Sequence, residues 1–515
     1  MLVKTSCAAV VGLDAITVTI EVSTIRGAQL HITGLADVSV RESYDRVRSA
    51  IQNNGYKMQL MDTTVNFSPA DIRKEGCCYD LPLAMAFLAI SGDIDINSLD
   101  GLIFAGELGL DGRLLPIRGA LPIAIRARAD HFKTLIVPKQ NEREAAVVNN
   151  LNVYGMDSLM DVINFVKGTT HPEPCFVDTR KEFYEHQYRF DLDFADVRGQ
   201  ENVKRALEVA AAGGHNIIMV GPPGSGKSMM AKRLPSILPP LSLSESLETT
   251  QIHSIAGKLP KGTSLISQRP FRSPHHTISQ TALVGGGNNP QPGEISLAHN
   301  GVLFADELPE FNKSTLEVLR QPLEDRHISI SRVKYTIDYP CSFMFVASMN
   351  PCPCGYFGDP THNCVCTPGQ IQRYMNKISG PLLDRIDIQC EITPVPFKDI
   401  SKAAPGEPSA TIRERVIAAR QIQQERFKDH KGIHCNAQMT QRMIHQYAEP
   451  DDQSLDMLRM AMERMSLSAR AYSRILKVAR TIADLDGSEQ VMGRHVQEAI
   501  SYRNLDRANW AETGW

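Results

Sequence analysis

The chain has 515 residues, which is too long for a single hydrophobic core and predicts two to four domains. Its 42% hydrophobic and 22% charged residues are typical of a soluble globular protein, and no run of roughly 18 to 20 apolar residues indicates a membrane span. The net charge of −3 excludes nucleic-acid binding through an overall positive field, so any such binding requires local basic patches.

The cysteines point to a reducing compartment. There are eleven of them, an odd number, and they are scattered except for Cys77 and Cys78 and a group of four within NPCPCGYFGDPTHNCVCTPG, residues 350–369. In a reducing cytoplasm, clustered thiols hold a metal more often than they form disulfides. The N-terminal sequence alternates like a strand and carries Asp14, unlike a signal peptide. We therefore expect a cytoplasmic protein with no membrane partner.

Residues 1–170 predict an α/β or α+β domain. Amphipathic stretches such as VRESYDRVRSAIQNNG alternate with the β-like runs AITVTIEVST, AQLHITGL, TTVNFSP, LIFAGELGL and KTLIVP. The polar residues 171–195 that follow predict a linker.

A phosphate-binding loop lies near the start of the next predicted domain, residues 196–400. NIIMVGPPGSGKSMMAKRL contains G-x-x-x-x-G-K-S between an apolar strand and a helix. Glycines let such a loop wrap around phosphates, its lysine neutralises the β- and γ-phosphates, and its serine holds Mg²⁺. We predict that ATP is bound by Gly221, Pro222, Pro223, Gly224, Ser225, Gly226, Lys227 and Ser228.

Two later strands end in polar residues that suit ATP hydrolysis. GVLFADE places Asp306 and Glu307 after an apolar strand, where Asp306 would hold Mg²⁺ and Glu307 would polarise the attacking water. SFMFVASMN ends in Asn350, which would position that water. Such residues also end strands at ordinary turns, but together with the phosphate loop they predict an ATPase site.

Three arginines are candidates for stabilising the transition state. Arg385, in GPLLDRIDI, is either part of a surface ion pair or an exposed arginine at a helix end that reaches the nucleotide of a neighbouring subunit. After a Pro-, Ala- and Gly-rich stretch at 402–410, helical periodicity predicts a small helical domain, residues 411–510. In it Arg470 and Arg474 lie on one helix face, where one or both reach the γ-phosphate or form a solvated basic face.

The order GPPGSGKS, GVLFADE, ASMN, LLDRID and SARAYSRILKVARTIADL resembles the AAA+ ATPases of the magnesium-chelatase type. GLADVSVRESYDRVRSAI, SPHHTIS, GGGNNPQPGEISLAHNGVLF and NPCPCGYFGD are similar to the YifB/ComM family, and the resemblance covers essentially the whole chain. One departure is Ala305, where that family more often has a bulkier apolar residue.

The resemblance implies a multidomain α/β protein with an AAA+ core and a C-terminal helical lid. It implies a homo-hexameric ring with ATP bound between subunits, which acts as a DNA translocase or helicase and drives branch migration in recombination during natural transformation. The implied partners are single-stranded or branched DNA and recombinase-associated proteins. The residues implied to act within one subunit are Lys227, Ser228, Asp306, Glu307 and Asn350, and Arg385 is implied to act on the next subunit.

Two loops would face DNA in such a ring. HISISRVKYTIDYP alternates on both sides of Arg332 and Lys334 and predicts a β-hairpin with a basic tip, which points inward in this ATPase group. The insertion before Asp306 carries Arg269 and Arg272 beside two histidines and resembles the pore-lining insert of the same group. A solvated turn is the alternative for either loop.

The four clustered cysteines predict a metal site between Asn350 and Arg385. Four thiolates would hold one Zn²⁺ tetrahedrally and stabilise a loop rich in Gly and Pro. The C-x-C spacing is tighter than the usual C-x₂₋₄-C, His362 is an alternative ligand, and a packed loop without metal is the alternative structure. The proposed ligands are Cys352, Cys354, Cys364 and Cys366.

RKEGCCYDLPLAMAFLAISG and GELGLDGRLLPIRGALPIAIRARA are similar to the Lon protease domain fold. Proteolysis on that fold needs a serine that is activated by a lysine. The matching positions hold Cys78, or its neighbour Cys77, and Leu121. Because the base is missing, we predict a binding or assembly module; a thiol protease is the alternative.

Three functions are therefore weighed. The leading hypothesis is an ATP-driven hexameric DNA motor, and the second is a magnesium-chelatase-type ATPase that remodels a protein partner. The Lon-like domain and the cysteine loop favour the first, because chelatase ATPase subunits usually lack both. The third, a nucleotide-gated scaffold without enzymatic activity, conflicts with the intact Lys227, Glu307 and Arg385.

Overall fold

The structure, a computed structural model, describes residues 1–27, 29–58, 61–287, 290–331, 336–359, 362–393, 406–465 and 467–503. The chain divides into two compact units. The first consists of Met1–His186 and Leu243–Ser267, and the second consists of Gln187–Ser242 and Gln268–Trp515. Across the described ranges, every helix is too short or too polar to span a bilayer.

The described strands are, in chain order, β1 (Leu2–Val11), β2 (Asp14–Ile25), β3 (Leu30–Thr33), β4 (Asp62–Ser68), β5 (Leu102–Phe104), β6 (Glu107–Leu108), β7 (Leu114–Leu115), β8 (Thr134–Pro138), β9 (Asn152–Met156), β10 (Ile217–Val220), β11 (Phe271–Arg272), β12 (Gly285–Gly286), β13 (Gln291–Pro292), β14 (Val302–Ala305), β15 (His327–Ser331), β16 (Thr336–Pro340), β17 (Met344–Met349) and β18 (Ile388–Glu391).

The described α-helices are, in chain order, α1 (Val38–Asn53), α2 (Asp80–Ile90), α3 (Ala120–Ala129), α4 (Glu142–Ala145), α5 (Leu159–Val166), α6 (Thr179–His186), α7 (Glu201–Gly213), α8 (Lys227–Arg233), α9 (Leu243–Ile255), α10 (Gln280–Val284), α11 (Glu294–Leu297), α12 (Lys313–Glu317), α13 (Arg320–Asp325), α14 (Pro368–Met375), α15 (Gly380–Leu383), α16 (Ser409–Phe427), α17 (Gln441–Tyr447), α18 (Asp452–Met465), α19 (Ala469–Leu485) and α20 (Gly493–Ser501).

The first unit is built on a four-stranded sheet with the order β1-β2-β4-β3 and a parallel three-stranded sheet with the order β5-β8-β9. Val18, Ile20 and Val22 of β2 are fully buried while the residues between them are partly exposed, which is the period of a strand with one face on the core. Asp37 caps the start of α1: its carboxylate accepts the Val40 N–H at 2.9 Å.

Helix α9 belongs to the first unit although its neighbours in sequence belong to the second. It packs against α3, and its Ser254 hydroxyl donates to the Glu144 carboxylate, which also accepts the Leu121 N–H at 3.0 Å. Burial raises the pKa of Glu144 despite these donors. The sequence analysis assigned these residues to the 196–400 domain, because a local pattern does not show which core a segment joins.

Part of the predicted linker at 171–195 is also packed in the first unit. Val177 and Phe183 are buried, and the Cys175 N–H donates to the Val153 carbonyl at 2.8 Å. Within the second predicted boundary, 402–410, residues 402–405 lie outside the described residues.

The second unit contains a parallel five-stranded sheet with the order β11-β14-β17-β10-β18. β10, β14 and β17 are buried along their whole length, as expected for the interior of a parallel sheet. The described residues from 409 to 501 form helices α16–α20. The mixed α and β content agrees with the predicted class.

The carboxyl ends of the three central strands meet at one edge of this sheet. Gly221 follows β10, Asp306 follows β14, and Asn350 follows β17. In open parallel sheets this edge is where ligands bind.

Candidate active site

The phosphate loop follows β10 as predicted, and its glycines are required by geometry. Gly224 and Gly226 have φ of +77° and +94°, in the left-handed region that other residues rarely adopt. A Cβ on Gly221 would lie 2.3 Å from the Ile392 carbonyl oxygen, whereas a Cβ on Gly224 would meet nothing within 4 Å. The loop is therefore packed at its start and open at Gly224, where a phosphate would be held.

Lys227 connects the loop to the strand beside it. Its ammonium donates to the carbonyl oxygens of Gly221 at 2.7 Å and Pro222 at 2.8 Å, and to Asn350 Oδ1 at 3.2 Å. Burial lowers the pKa of Lys227, and the carboxylates of Asp306 and Glu307 counteract that effect. The structure thus brings the predicted phosphate-binding amine and the predicted Asn350 together.

Asp306 accepts two hydroxyl hydrogen bonds. Ser228 Oγ donates to one carboxylate oxygen at 2.7 Å, and the buried Ser348 Oγ donates to the other. A serine hydroxyl beside an aspartate suits Mg²⁺, a hard cation that takes oxygen ligands and keeps several waters. Ser228 and Asp306 therefore fit the predicted metal role.

Glu307 lies in a backbone conformation that is rare for a residue with a side chain. Its φ is 54°, its side chain is 57% exposed, and its N–H donates to Ser348 Oγ at 3.3 Å. The His276 ring lies 3.7 Å from the Glu307 carboxylate and 4.1 Å, between ring centres, from His275. Strained backbone of this kind concentrates at functional sites, and it presents the carboxylate towards solvent.

Arg385 follows α15, but it is less exposed than the sequence analysis expected. Its side chain is only 12% exposed in the single chain, because the guanidinium donates to the Pro381 carbonyl at 2.5 Å and pairs with Glu324 of α13. Glu324 itself is 59% exposed, so this ion pair lies at the surface. Arg385 Nε is buried and has no hydrogen-bond partner among the described residues.

Arg470 and Arg474 lie in different environments. Arg470 is 71% exposed and pairs with Asp384 at 3.0 Å. Arg474 pairs with the buried Asp387, which also contacts His215 at 2.9 Å. Burial alone would raise the pKa of Asp387, but the Arg474 guanidinium and then His215 outweigh burial and hold that pKa well below its ordinary value.

We predict that Arg474 supports the fold and that Arg470 is the arginine available to the nucleotide. Arg474→Ala should lower the free energy of unfolding by about 3 kcal/mol, since it leaves a buried carboxylate with one partner fewer. Arg470→Ala should change it by less than about 0.5 kcal/mol, because an exposed ion pair contributes little, yet should slow ATP hydrolysis. Denaturant unfolding and ATPase assays of both variants test this; a fully active Arg470→Ala beside a stable, inactive Arg474→Ala would reverse the assignment.

The four predicted DNA contacts divide into two groups. Arg269 donates to the carbonyl oxygens of Pro239 at 2.6 Å and Asn300 at 2.7 Å, and Arg272 forms a two-bond ion pair with Glu294 at 2.6 and 2.7 Å. These internal partners do not support a DNA contact, because either guanidinium would first have to release them. The strands β15 and β16 form the predicted antiparallel hairpin, but its tip with Arg332 and Lys334 lies outside the described residues.

The four predicted zinc ligands form a cluster. The sulfurs of Cys352, Cys354, Cys364 and Cys366 all lie within 4.8 Å of one another. Tetrahedral thiolates at about 2.3 Å from zinc would be about 3.8 Å apart. The Cys352–Cys364 and Cys354–Cys364 separations are 3.7 and 3.6 Å. His362, the alternative ligand, lies instead against the Tyr356 ring, with 4.7 Å between ring centres.

Cys77 and Cys78 lack the lowered thiol pKa that a nucleophilic cysteine needs. Contact with the Cys7 thiol and burial raise the pKa of Cys78 well above its ordinary value, and burial raises the pKa of Cys77 to about 11. A reactive cysteine requires a lowered pKa. Leu121, at the position of the base, is fully buried and apolar. These residues do not support the thiol-protease alternative, and the binding or assembly role of this domain stays a prediction.

The sequence analysis missed Ser348, the contact of His276 with Glu307, and the pair His215–Asn216. Ser348 had a visible signal, since it is a polar residue inside an otherwise apolar strand. His215 and Asn216 directly precede β10 and look like ordinary turn residues, although their partners lie 172 and 169 positions later.

The parallel sheet, the phosphate loop and the Asp306–Glu307 pair at its edge define an ATPase of the AAA+ magnesium-chelatase type. Family models agree: "Magnesium chelatase, subunit ChlI" matches residues 193–400, "Subunit ChlI of Mg-chelatase" matches 20–141, and "Magnesium chelatase, subunit ChlI C-terminal" matches 406–503.

Two of the similar proteins match almost the whole chain. The uncharacterized protein YifB of Escherichia coli is 45% identical over 506 residues, 97% of this chain and 96% of its own. The competence protein ComM of Haemophilus influenzae is 42% identical over 498 residues, 96% of each chain. The chain therefore belongs to the YifB/ComM family. Lon protease 2 of Bacillus subtilis is 31% identical over 157 residues, 28% of this chain and 27% of its own, so the likeness to Lon is partial.

Proposed function

We propose that this protein is an ATP-driven, homo-hexameric DNA translocase that promotes branch migration in recombination. The ATPase part of this proposal rests on the position of Lys227, the Ser228–Asp306 pair and Glu307 at one edge of the parallel sheet. The role in recombination is supported by the family to which the chain belongs, since one relative in that family is named a competence protein.

The residues divide the work of ATP hydrolysis between them. Lys227 and the loop amides would hold the phosphates, while Ser228 and Asp306 would hold Mg²⁺, which would neutralise phosphate charge when bound. Glu307, exposed beside the loop, would accept a proton from the attacking water, and Asn350 would orient that water. Arg385 would complete the site of the next subunit after leaving Glu324, its surface ion-pair partner in the single chain.

In this proposal, DNA contacts the hairpin formed by β15 and β16. The sequence between these two antiparallel strands contains Arg332 and Lys334. Basic loops that face a pore are how such motors follow a phosphate backbone. The chelatase-type alternative is favoured by the three family models, which are all named for magnesium chelatase. In that case ATP hydrolysis would respond to a protein partner and not to DNA.

A DNA-stimulated ATPase assay separates the two functions. We expect single-stranded or branched DNA to raise the ATPase rate several-fold, and wild-type protein to resolve a four-way junction or a D-loop in the presence of ATP. Lys334→Ala should weaken both effects and reduce the dependence of DNA binding on salt, whereas the exposed Lys431→Ala serves as a control with unchanged DNA binding. If DNA neither binds nor stimulates the wild-type protein, the chelatase-like function is preferred.

We also propose that the cysteine cluster holds one Zn²⁺ per chain. The loop packs on the nucleotide site, because a Cβ on Gly355 would lie 2.6 Å from Pro223 Cδ of the phosphate loop. Metal analysis of purified protein should find about one Zn²⁺ per chain, and Cys364→Ser should lose it together with part of the ATPase activity. Cys175→Ser, outside the cluster, should retain both. A wild-type protein without bound zinc would contradict this proposal.

A further inference from the structure

Asn216, the residue that precedes β10, holds the segment that carries Arg385. Its side-chain amide donates to the Arg385 carbonyl oxygen at 2.8 Å. Its own carbonyl oxygen accepts the N–H groups of Asp387 and Ile388, each at 3.0 Å. One residue thus makes three hydrogen bonds to the backbone of residues 385–388.

The orientation of the Asn216 amide follows from its surroundings. Asn216 Oδ1 accepts the main-chain N–H of Phe345 at 2.9 Å, and a main-chain N–H can only donate. The oxygen must therefore face Phe345, and the NH₂ group must face Arg385. Phe345 lies in β17, the strand that leads to Asn350, so a single side chain connects the backbone on both sides of β10.

The neighbouring residue, His215, holds the same segment through side chains. Its fully buried ring contacts Asp387 Oδ2 at 2.9 Å through Nδ1 and Thr481 Oγ1 at 2.8 Å through Nε2. Because Asp387 also pairs with Arg474, the residues that follow Arg385 are fixed from two directions.

Strand β10 connects this attachment to the phosphate loop. It is paired with β17 on one side and β18 on the other, and Gly221 follows it directly. The distance from Asn216 to Gly221 along such a strand is about 17 Å. An interior strand bonded on both edges cannot slide alone without breaking both sets of hydrogen bonds, so a displacement of the phosphate loop is passed to Asn216.

We propose that Asn216 is a positioning residue for Arg385. It fixes the backbone position of Arg385, whose guanidinium contacts the nucleotide of the neighbouring subunit. It also links Arg385 through β10 to the phosphate loop of its own subunit. This inference rests on the proposed function, since it requires Arg385 to act on a neighbour. Asn216 would thereby let the occupancy of one site influence hydrolysis in the next.

The test mixes full-length variants in equal amounts and measures ATP hydrolysis by the mixed assemblies. Arg385→Ala subunits cannot donate the guanidinium but keep their own phosphate loop intact. Lys227→Ala subunits keep Arg385 but lose their own site. Each variant alone should be nearly inactive. Their mixture should regain activity, because Arg385 of a Lys227→Ala subunit completes the intact nucleotide site of a neighbouring Arg385→Ala subunit. This mixture tests the shared site of the proposed function.

The test variants are Asn216→Asp and Asn216→Ala. Asn216→Asp keeps the acceptor for Phe345 N–H and replaces the donor to the Arg385 carbonyl with an acceptor. Each variant alone should lose about 10- to 100-fold in kcat with little change in KM, the loss expected for a misplaced catalytic group. Activity should return on mixing with Lys227→Ala and should not return on mixing with Arg385→Ala. A residue that only supports its own phosphate loop would give the reverse pattern.

The outcomes separate the inference from the function on which it rests. If Arg385→Ala and Lys227→Ala fail to restore each other, the shared site is wrong regardless of Asn216. If they do restore each other, three results for Asn216→Asp would contradict the positioning role and leave the proposed function intact. The variant could be fully active, it could regain activity only with Arg385→Ala, or it could assemble normally and regain activity with neither partner. A variant is used only if its thermal unfolding midpoint is near that of the wild type. A variant that does not meet this condition is replaced by Asn216→Ser, whose hydroxyl group is a small hydrogen-bond donor.

Discussion

Replacing Lys227 with alanine is expected to lower ATP hydrolysis by at least about 100-fold, the usual cost of removing a preorganised group that stabilises transition-state charge. Within the described residues the Lys227 ammonium lies between the loop carbonyls and Asn350, where it would meet the phosphates. Steady-state hydrolysis with saturating ATP and Mg²⁺ measures the loss.

Lys232→Ala provides the matched control for that variant. Lys232 lies on the same helix, α8, but it is exposed. We expect this control to hydrolyse ATP at the wild-type rate. Equal hydrolysis by Lys227→Ala and wild type would show that the phosphate loop is not the site.

The Glu307→Gln variant is expected to bind ATP with wild-type affinity and to hydrolyse it at least about 100-fold more slowly. Glutamine keeps the size of the side chain and removes the carboxylate that would accept the proton of the attacking water. Because the Glu307 side chain is more than half exposed and its nearest charged partner among the described residues, His276, lies at 3.7 Å, the fold should tolerate the change. A fluorescent-nucleotide titration and single-turnover hydrolysis separate binding from chemistry.

Glu310→Gln is the control for this second variant. Glu310 lies three residues later and forms an exposed ion pair with Lys377 at 3.3 Å. It should leave both binding and hydrolysis unchanged. If Glu307→Gln retained the wild-type rate, another base would have to be sought, and His276, 3.7 Å from the carboxylate, would be examined first.

The parts of the site that could be predicted are those with local signals. The phosphate loop is a contiguous motif between a strand and a helix, and Asp306 and Asn350 directly end apolar strands. A parallel sheet then brings those ends to one edge, so adjacency in space follows from position in each strand. The cysteine cluster was predictable for the same reason, because fifteen contiguous residues contain all four sulfurs.

The remaining features depend on contacts between distant positions. Arg269 and Arg272 have the composition of DNA contacts, but acceptors between 22 and 31 residues away hold them inside the unit. Arg385 was expected to be exposed, and its partner Glu324 lies 61 residues earlier. Apart from Asp80 at its start, helix α2 is apolar on every face, so its sequence carries no helical period that a pattern could reveal.

Imaging the assembled protein with a non-hydrolysable ATP analogue and Mg²⁺ tests the central claim most directly. The account predicts a closed ring of six chains in which each phosphate loop holds a nucleotide and the Arg385 guanidinium of the adjacent chain has left Glu324 to contact its terminal phosphate. A single chain that contains a complete nucleotide site, or a ring in which Arg385 still faces Glu324 with nucleotide bound, would contradict it.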